Sequence, residues 1–192
     1  MNKDTNQIMA HINAYRMDGL GNNFVIIDRR RNNIELNKSK ITNLSSKKDF
    51  PFDQLITIEK KDGKIFPIKI FNCDGIEVSA CGNGVRCIAY LISKEINEEK
   101  ISLKTSERIL HAEVVGDQNV RINMGKAKFN WNEIPLSQNM NTEKINIDFL
   151  KNNYGYGFCV NVGNPHIIYF VKDCTKINIS ELGYKIENYK FF

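Results

Sequence analysis

Residues 71–93 read FNCDGIEVSACGNGVRCIAYLIS, and the rest of the chain is organised around them. The stretch opens on the end of a strand-like run, 65–71, and turns at Asn72-Cys73-Asp74-Gly75. A short segment, 76–79, leads into Ala80-Cys81-Gly82-Asn83-Gly84. From there Val85, Ile88, Ala89 and Ile92 fall at i, i+3, i+4 and i+7, one apolar stripe of a helix. Cys81 therefore stands at a Gly-rich turn that opens a buried helix.

That position carries chemical meaning. The first backbone N–H groups of a helix lack intrahelical partners and sit at its positive end, so they attract anions. Gly82 and Gly84 are expected to let a carboxylate approach the backbone closely. The same field favours thiolate over thiol and would make Cys81 a usable base or nucleophile. The competing reading is plain: Cys81 is a small buried apolar residue and the glycines only shape a turn. A zinc site from Cys73, Cys81 and Cys87 is set aside, because their gaps do not fit the paired short spacings of structural zinc ligands. No metal is expected.

Composition bounds the class. A chain of 192 residues, 42% apolar and 26% charged, makes one or two ordinary globular domains. Its five cysteines form no secreted-domain framework and no secretory signal precedes them, so a reducing cytoplasm is expected. No apolar run approaches the length of a membrane span. The net charge is +5, but acids interleave with bases, as at Lys94-Glu95 and Glu98-Glu99-Lys100. With no nucleic-acid-binding motif beside them, the short runs at 29–31 and 47–48 read as solvated surface.

Outward from the central helix, residues 1–13 read as an N-terminal extension. Residues 15–17 and 24–28 read as strands around the loop Asp18-Gly19-Leu20-Gly21-Asn22-Asn23, whose amides can point at a ligand or simply serve a hairpin. A helix is predicted over 38–46, and strands over 55–58, 65–71, 101–105, 109–115 and 120–124. Residues 125–131 mark a boundary, and 133–142 read as polar loop. A further strand, 156–162, runs into a turn at Gly163-Asn164-Pro165-His166, then a strand over 167–171 and a final helix over 179–189. His166 taken alone is better read as a satisfied structural histidine, and Cys159 and Cys174 read as structural. The plan is α+β, with strands wrapped around a central helix in a first lobe, 14–124, and an incomplete second lobe, 125–192.

Four motifs in order carry a resemblance: MDGLGNNFVIID at 17–28, FDQL at 52–55, FNCDGIEVSACGNGVRC at 71–87 and NVGNPH at 161–166. Together, from Tyr15 onward, they resemble the diaminopimelate epimerase family. The resemblance implies that family's fold and a cofactor-free isomerase interconverting LL- and meso-diaminopimelate, on the route to lysine and cell-wall peptide. It implies Cys81 as one of two catalytic thiols, with Gly82 and Asn83 holding the α-carboxylate and amine region. Asn22, Gln54, Asn72 and Asn164 match substrate-binding amides, and His166 matches a histidine that supports catalysis. Asn23 stands where the family usually has Asp, Pro51 where it has Gly, and Cys73 where it has a small residue.

One departure is larger. The family's second cysteine, in a Cys-Gly-Thr/Ser-Gly turn, is not among these residues, nor are a later substrate-binding asparagine and the strands that return to the first lobe. Inversion at an α-carbon without an imine cofactor needs one group to remove the proton and another to deliver it from the opposite face. Cys87 is six residues along the same helix, which places it about 9 Å further along the axis and on another side. The expectation is a truncated or split epimerase that works with its C-terminal part, supplied separately, or as a homodimer. The alternatives are a non-catalytic remnant binding a diamino acid or a partner chain, and a related amino-acid racemase. The expected ligand is a small diamino acid, with neither nucleic acid nor membrane as partner.

Overall fold

The structure, a computed structural model, describes residues 14–32, 34–79 and 81–192. The expected extension at 1–13 lies outside the described residues. The chain divides into two compact units, 1–123 and 124–192.

The first unit is built on an eight-stranded sheet. Its strands are β1 (Ala14–Gly19), β2 (Asn22–Asp28), β3 (Gln54–Ile58), β4 (Ile65–Asn72), β5 (Glu77–Val78), β6 (Lys100–Lys104), β7 (Ile109–Gly116) and β8 (Asn119–Asn123). The order is β1-β2-β3-β4-β6-β7-β8, with β5 added against β4. Two neighbours are parallel, β2 with β3 and β4 with β6, and each of these pairs is linked through a helix. Those helices are α1 (Lys38–Ser45) and α2 (Gly82–Ile96). Helix α2 touches β1 and β2 on one side and β6, β7 and β8 on the other, so the sheet curls around it. This is the expected α+β architecture, strands wrapped around a central helix.

Sequence pattern explains the wrapping. On β2 the run Phe24-Val25-Ile26-Ile27 does not alternate, and all four residues are buried. Val25 and Ile27 pack with Leu55 and with Ile41 of α1. Phe24 and Ile56 face the other way and meet Gly84 of α2. A strand covered on both faces reads as continuous apolar residues, as parallel neighbours commonly do. On α2 the predicted stripe Val85, Ile88, Ala89 and Ile92 is 0% exposed at every position. Burying a side chain such as Ile88 stabilises the unit by about 1.5–3 kcal/mol. The helix ends at Asn97, whose left-handed backbone (φ 54°) closes it.

The loop expected at 18–23 is tighter than read. Asp18 pairs with Asn23 and Gly19 with Asn22, which leaves Leu20-Gly21 as a two-residue turn. Both turn residues have positive φ, 55° and 87°, the geometry that matches strand twist.

The second unit has a small core of Ile134, Leu136, Ile145, Ile147, Leu150, Cys159 and Ile186. Its two strands, β9 (Phe158–Asn161) and β10 (Pro165–Ile168), form an antiparallel pair. Pro165 and His166, expected in the turn, lie in β10: proline is tolerated as the first residue of an edge strand. The segment 133–142, expected as polar loop, contributes Ile134 and Leu136 to this core after a 3₁₀ turn at Trp131–Glu133. A short helix, α3 (Lys151–Tyr154), was not signalled by periodicity, since four residues cannot display a period. The last helix, α4 (Ile179–Glu187), is capped by Asn178, whose Oδ1 accepts from Glu181 N at 3.4 Å. Cys159 is buried, whereas Cys174 stands exposed in a 3₁₀ turn rather than as a packed residue. Among the described residues, no helix is long and apolar enough to cross a membrane.

Candidate active site

The register of three strands gathers the amides of the first unit. Asn22 opens β2 and Gln54 opens β3; the two strands run parallel with Phe24 opposite Gln54, so both residues stand at one end of the sheet. Strand β4 runs back against β3 and finishes at Asn72, directly opposite Gln54. Gln54 Nε2 donates to Asn72 Oδ1 at 2.9 Å. The tight turn after β4 is held by Gly75 N–H donating to Asn72 O at 2.8 Å, with Asn72 N–H donating to Ile76 O at 3.0 Å.

Helix α2 begins at the same end. Cys81 is its N-cap, with extended backbone (φ −150°, ψ 98°), and its sulfur accepts from Gly84 N–H at 3.4 Å. The side chain is half-buried, not sunk in the core. Asn83, in the first turn, donates from Nδ2 to Asn22 Oδ1 at 2.6 Å and accepts at Oδ1 from Arg86 Nη2. The N-terminus of α2 thus meets the opening of β2 through side-chain amides, beside a thiol at the positive end of the helix.

Gly82 and Gly84 have different surroundings. Gly84 is buried, and a Cβ there would lie 2.5 Å from Ile56 Cδ1 and 3.2 Å from Phe24 Cε1. Its small size serves helix-to-sheet packing, and its N–H is taken by Cys81, so close ligand approach is not its reason. Gly82 is half-buried at the first position of the helix.

The remaining cysteines sit in different environments. Burial pushes the Cys87 thiol up to about 11, against a smaller opposing pull from Arg86. Cys159 is raised to about 11 by burial alone. Cys73 is raised by burial and by the nearby carboxylates of Asp53 and Asp74, and its Sγ donates to Phe52 O at 2.9 Å. All three are held as thiols at neutral pH.

Asn164 and His166 belong to the second unit and are exposed. Asn164 Oδ1 lies 2.9 Å from His166 Nε2 across the β9–β10 turn. A cleft of about 700 Å³ in the first unit is lined by Arg16, Asp18, Leu20, Arg86, Tyr90 and Gln118 among others, and by none of the predicted site residues. Among the described residues, no three His, Cys, Asp or Glu side chains cluster as metal ligands. Arg86 is the residue the sequence reading passed over. Its only signal was its place three residues after Asn83 on one helix face.

The sequence profile of diaminopimelate epimerase matches residues 14–130. The diaminopimelate epimerase of Pelagibacter ubique is 41% identical over 184 residues, covering 94% of this chain and 67% of that protein. The chain belongs to the diaminopimelate epimerase family. A second member of this family, from a Wolbachia of Brugia malayi, is 39% identical over 188 residues, covering 96% of this chain and 69% of its own length. The fold is shared more widely than the sequence. A predicted epimerase from Pseudomonas aeruginosa superposes with a TM-score of 0.59 at 14% identity, over 92% of this chain and 67% of that one. A PhzF-family phenazine biosynthesis protein from Enterococcus faecalis gives a TM-score of 0.56 at 13% identity, over 85% of this chain and 58% of that one. At such identities the likeness speaks for the fold alone. Diaminopimelate epimerases are isomerases, and membership of the family places this chain in that enzyme class.

Proposed function

We propose that the chain interconverts LL- and meso-diaminopimelate by proton transfer at the α-carbon, with Cys81 as the group that works one face. The observation that carries this reading is Cys81 as the N-cap of α2, half-buried, in a chain of this family. A thiolate there removes the α-proton. The free N–H groups of the first helical turn, Gly82 and Asn83, hold the adjacent carboxylate and stabilise the charge that develops as the proton leaves. Asn22, Gln54 and Asn72 bind the substrate's polar groups, and by the family's motif Asn164 is a further substrate-binding amide and His166 a histidine that supports catalysis. No bound cofactor is required for this acid–base route, and the compartment proposed is the cytoplasm.

Inversion also requires a proton donor on the opposite face. Cys87 and Cys159 are buried and the Cys73 S–H is turned to the Phe52 carbonyl, so none of the three offers its proton to a bound substrate. That observation favours a second reading in which these residues supply one half of the chemistry, exchanging the α-proton, and a separately supplied segment or second chain completes the inversion. Incubation of the chain with LL-diaminopimelate, followed by chiral chromatography, separates the readings. Accumulation of the meso form supports the full reaction. Its absence, with α-proton exchange retained, supports the half reaction, and the loss of both contradicts the proposal.

A further inference from the structure

Three polar side chains at the mouth of α2 form a relay. Arg86 Nη2 donates to Asn83 Oδ1, and Asn83 Nδ2 donates to Asn22 Oδ1 at 2.6 Å. An asparagine amide is nearly symmetric in shape, so its oxygen and nitrogen can exchange places unless a neighbour dictates the choice. A guanidinium does dictate it, because it has donors and no acceptor and stays charged throughout the accessible pH range. With Arg86 at one end, Asn83 must turn its oxygen to the guanidinium and its NH₂ toward Asn22. Asn22 must then receive with its oxygen, which turns its own NH₂ away from the relay. Among the described residues that NH₂ has no hydrogen-bond partner. The contrast is the Gln54–Asn72 pair, to which no donor-only group is bonded.

We propose that Arg86 is a positioning residue: acting through Asn83, it sets the Asn22 amide so that Nδ2 is offered as a donor to a carboxylate of the substrate. This rests on the reading of the chain as a diaminopimelate epimerase for the identity of the ligand, while the relay itself does not. Arg86 touches no reacting atom. Its contribution is to remove the orientation in which Asn22 would present an oxygen, which repels a carboxylate and suits an ammonium group.

The test combines Arg86→Met, Arg86→Lys, Asn22→Ala and the Arg86→Met/Asn22→Ala double variant, each checked for an unchanged backbone amide spectrum. Binding of LL-diaminopimelate is read by calorimetry, and the side-chain amide signals of Asn22 and Asn83 by ¹⁵N NMR of the ligand-free chain. Arg86→Met is expected to weaken binding roughly tenfold to a hundredfold, the range for a hydrogen bond to a charged group. In the Asn22→Ala background the same substitution is expected to change affinity less than about threefold, because the effect travels through that amide. Arg86→Lys, also donor-only, is expected to recover most of the binding. In the NMR arm Arg86→Met moves the signals of both asparagines. A loss of affinity that persists undiminished without Asn22 means the guanidinium acts by its charge alone, and overturns the proposal. So does an Asn22 amide signal that ignores Arg86→Met. If the unaltered chain binds no diaminopimelate, the functional reading fails, and the NMR arm still decides the relay. Should Arg86→Met not fold, Arg86→Gln replaces it, since glutamine can accept as well as donate and no longer imposes a direction.

Discussion

Gln54 and Asn72 face each other as direct partners in the β3–β4 register, and the Gln54 amide donates to Asn72 Oδ1 across 2.9 Å. The bond aligns two amides at the sheet end where α2 begins. It occupies the Asn72 oxygen and leaves the Asn72 NH₂ outside the pair. Asn72→Ala is expected to weaken LL-diaminopimelate binding roughly tenfold to a hundredfold, as for a lost hydrogen bond to a charged group. Calorimetry checks this, and unchanged affinity removes Asn72 from the site.

Gly84 separates two opposed effects of one substitution. In a solvent-facing helix position, Gly84→Ala would stabilise by about 0.8–1.0 kcal/mol through helix propensity. Here the new methyl would lie 2.5 Å from Ile56 Cδ1, in a core where Ile56 is fully buried. Overpacking of that kind costs about 1–3 kcal/mol, so a net destabilisation of about 1 kcal/mol is expected. Urea unfolding of the two proteins measures it. A more stable variant would show that Ile56 yields freely.

Stability in acid is linked to Asp28. Arg30 donates from Nε to Asp28 Oδ1 at 2.9 Å and from Nη2 to Oδ2 at 2.7 Å, and the same guanidinium reaches Glu95 on α2. The bonds from Arg30 hold the Asp28 carboxyl below the usual carboxylate range, although burial opposes them. The stabilisation is therefore complete above the unfolded-state value of about 3.9 and is lost as pH falls through the lower folded value. Asp28→Asn is expected to cost about 1–3 kcal/mol at pH 7, with a difference that shrinks below about pH 4. Denaturant unfolding at both pH values checks the window, and a gap that stays constant from pH 7 to about pH 3 would rule the linkage out.

How much of this was legible in the sequence depends on which forces set each feature. The stripe Val85, Ile88, Ala89 and Ile92 announced α2, because a helix that buries a stripe against the sheet around it must repeat its apolar residues at helical spacing. The strand β2 was legible for a different reason, as a short continuous apolar run bounded by turn residues. The two-residue turn at Leu20-Gly21 was hidden, since a leucine at φ 55° contradicts the usual preference for glycine or asparagine there. Gly84 carried a signal that was read wrongly, because a glycine spared for packing and one spared for a ligand look alike in a sequence. The partnerships Gln54–Asn72 and Asn22–Asn83 were out of reach, because they depend on strand register and on residues 18 and 61 positions apart. Ile134 and Leu136 were lost inside a polar stretch whose isolated apolar residues show no period.

The central claim is that Cys81 exchanges the α-proton of a diamino acid. The direct measurement is deuterium incorporation at the α-carbon of LL-diaminopimelate incubated with this chain in heavy water, for the unaltered protein and for Cys81→Ser. The account predicts incorporation by the unaltered chain and a rate at least about a hundredfold lower for Cys81→Ser, the scale on which a positioned acid–base group acts. Equal incorporation by both proteins, or none by the unaltered chain, would contradict it.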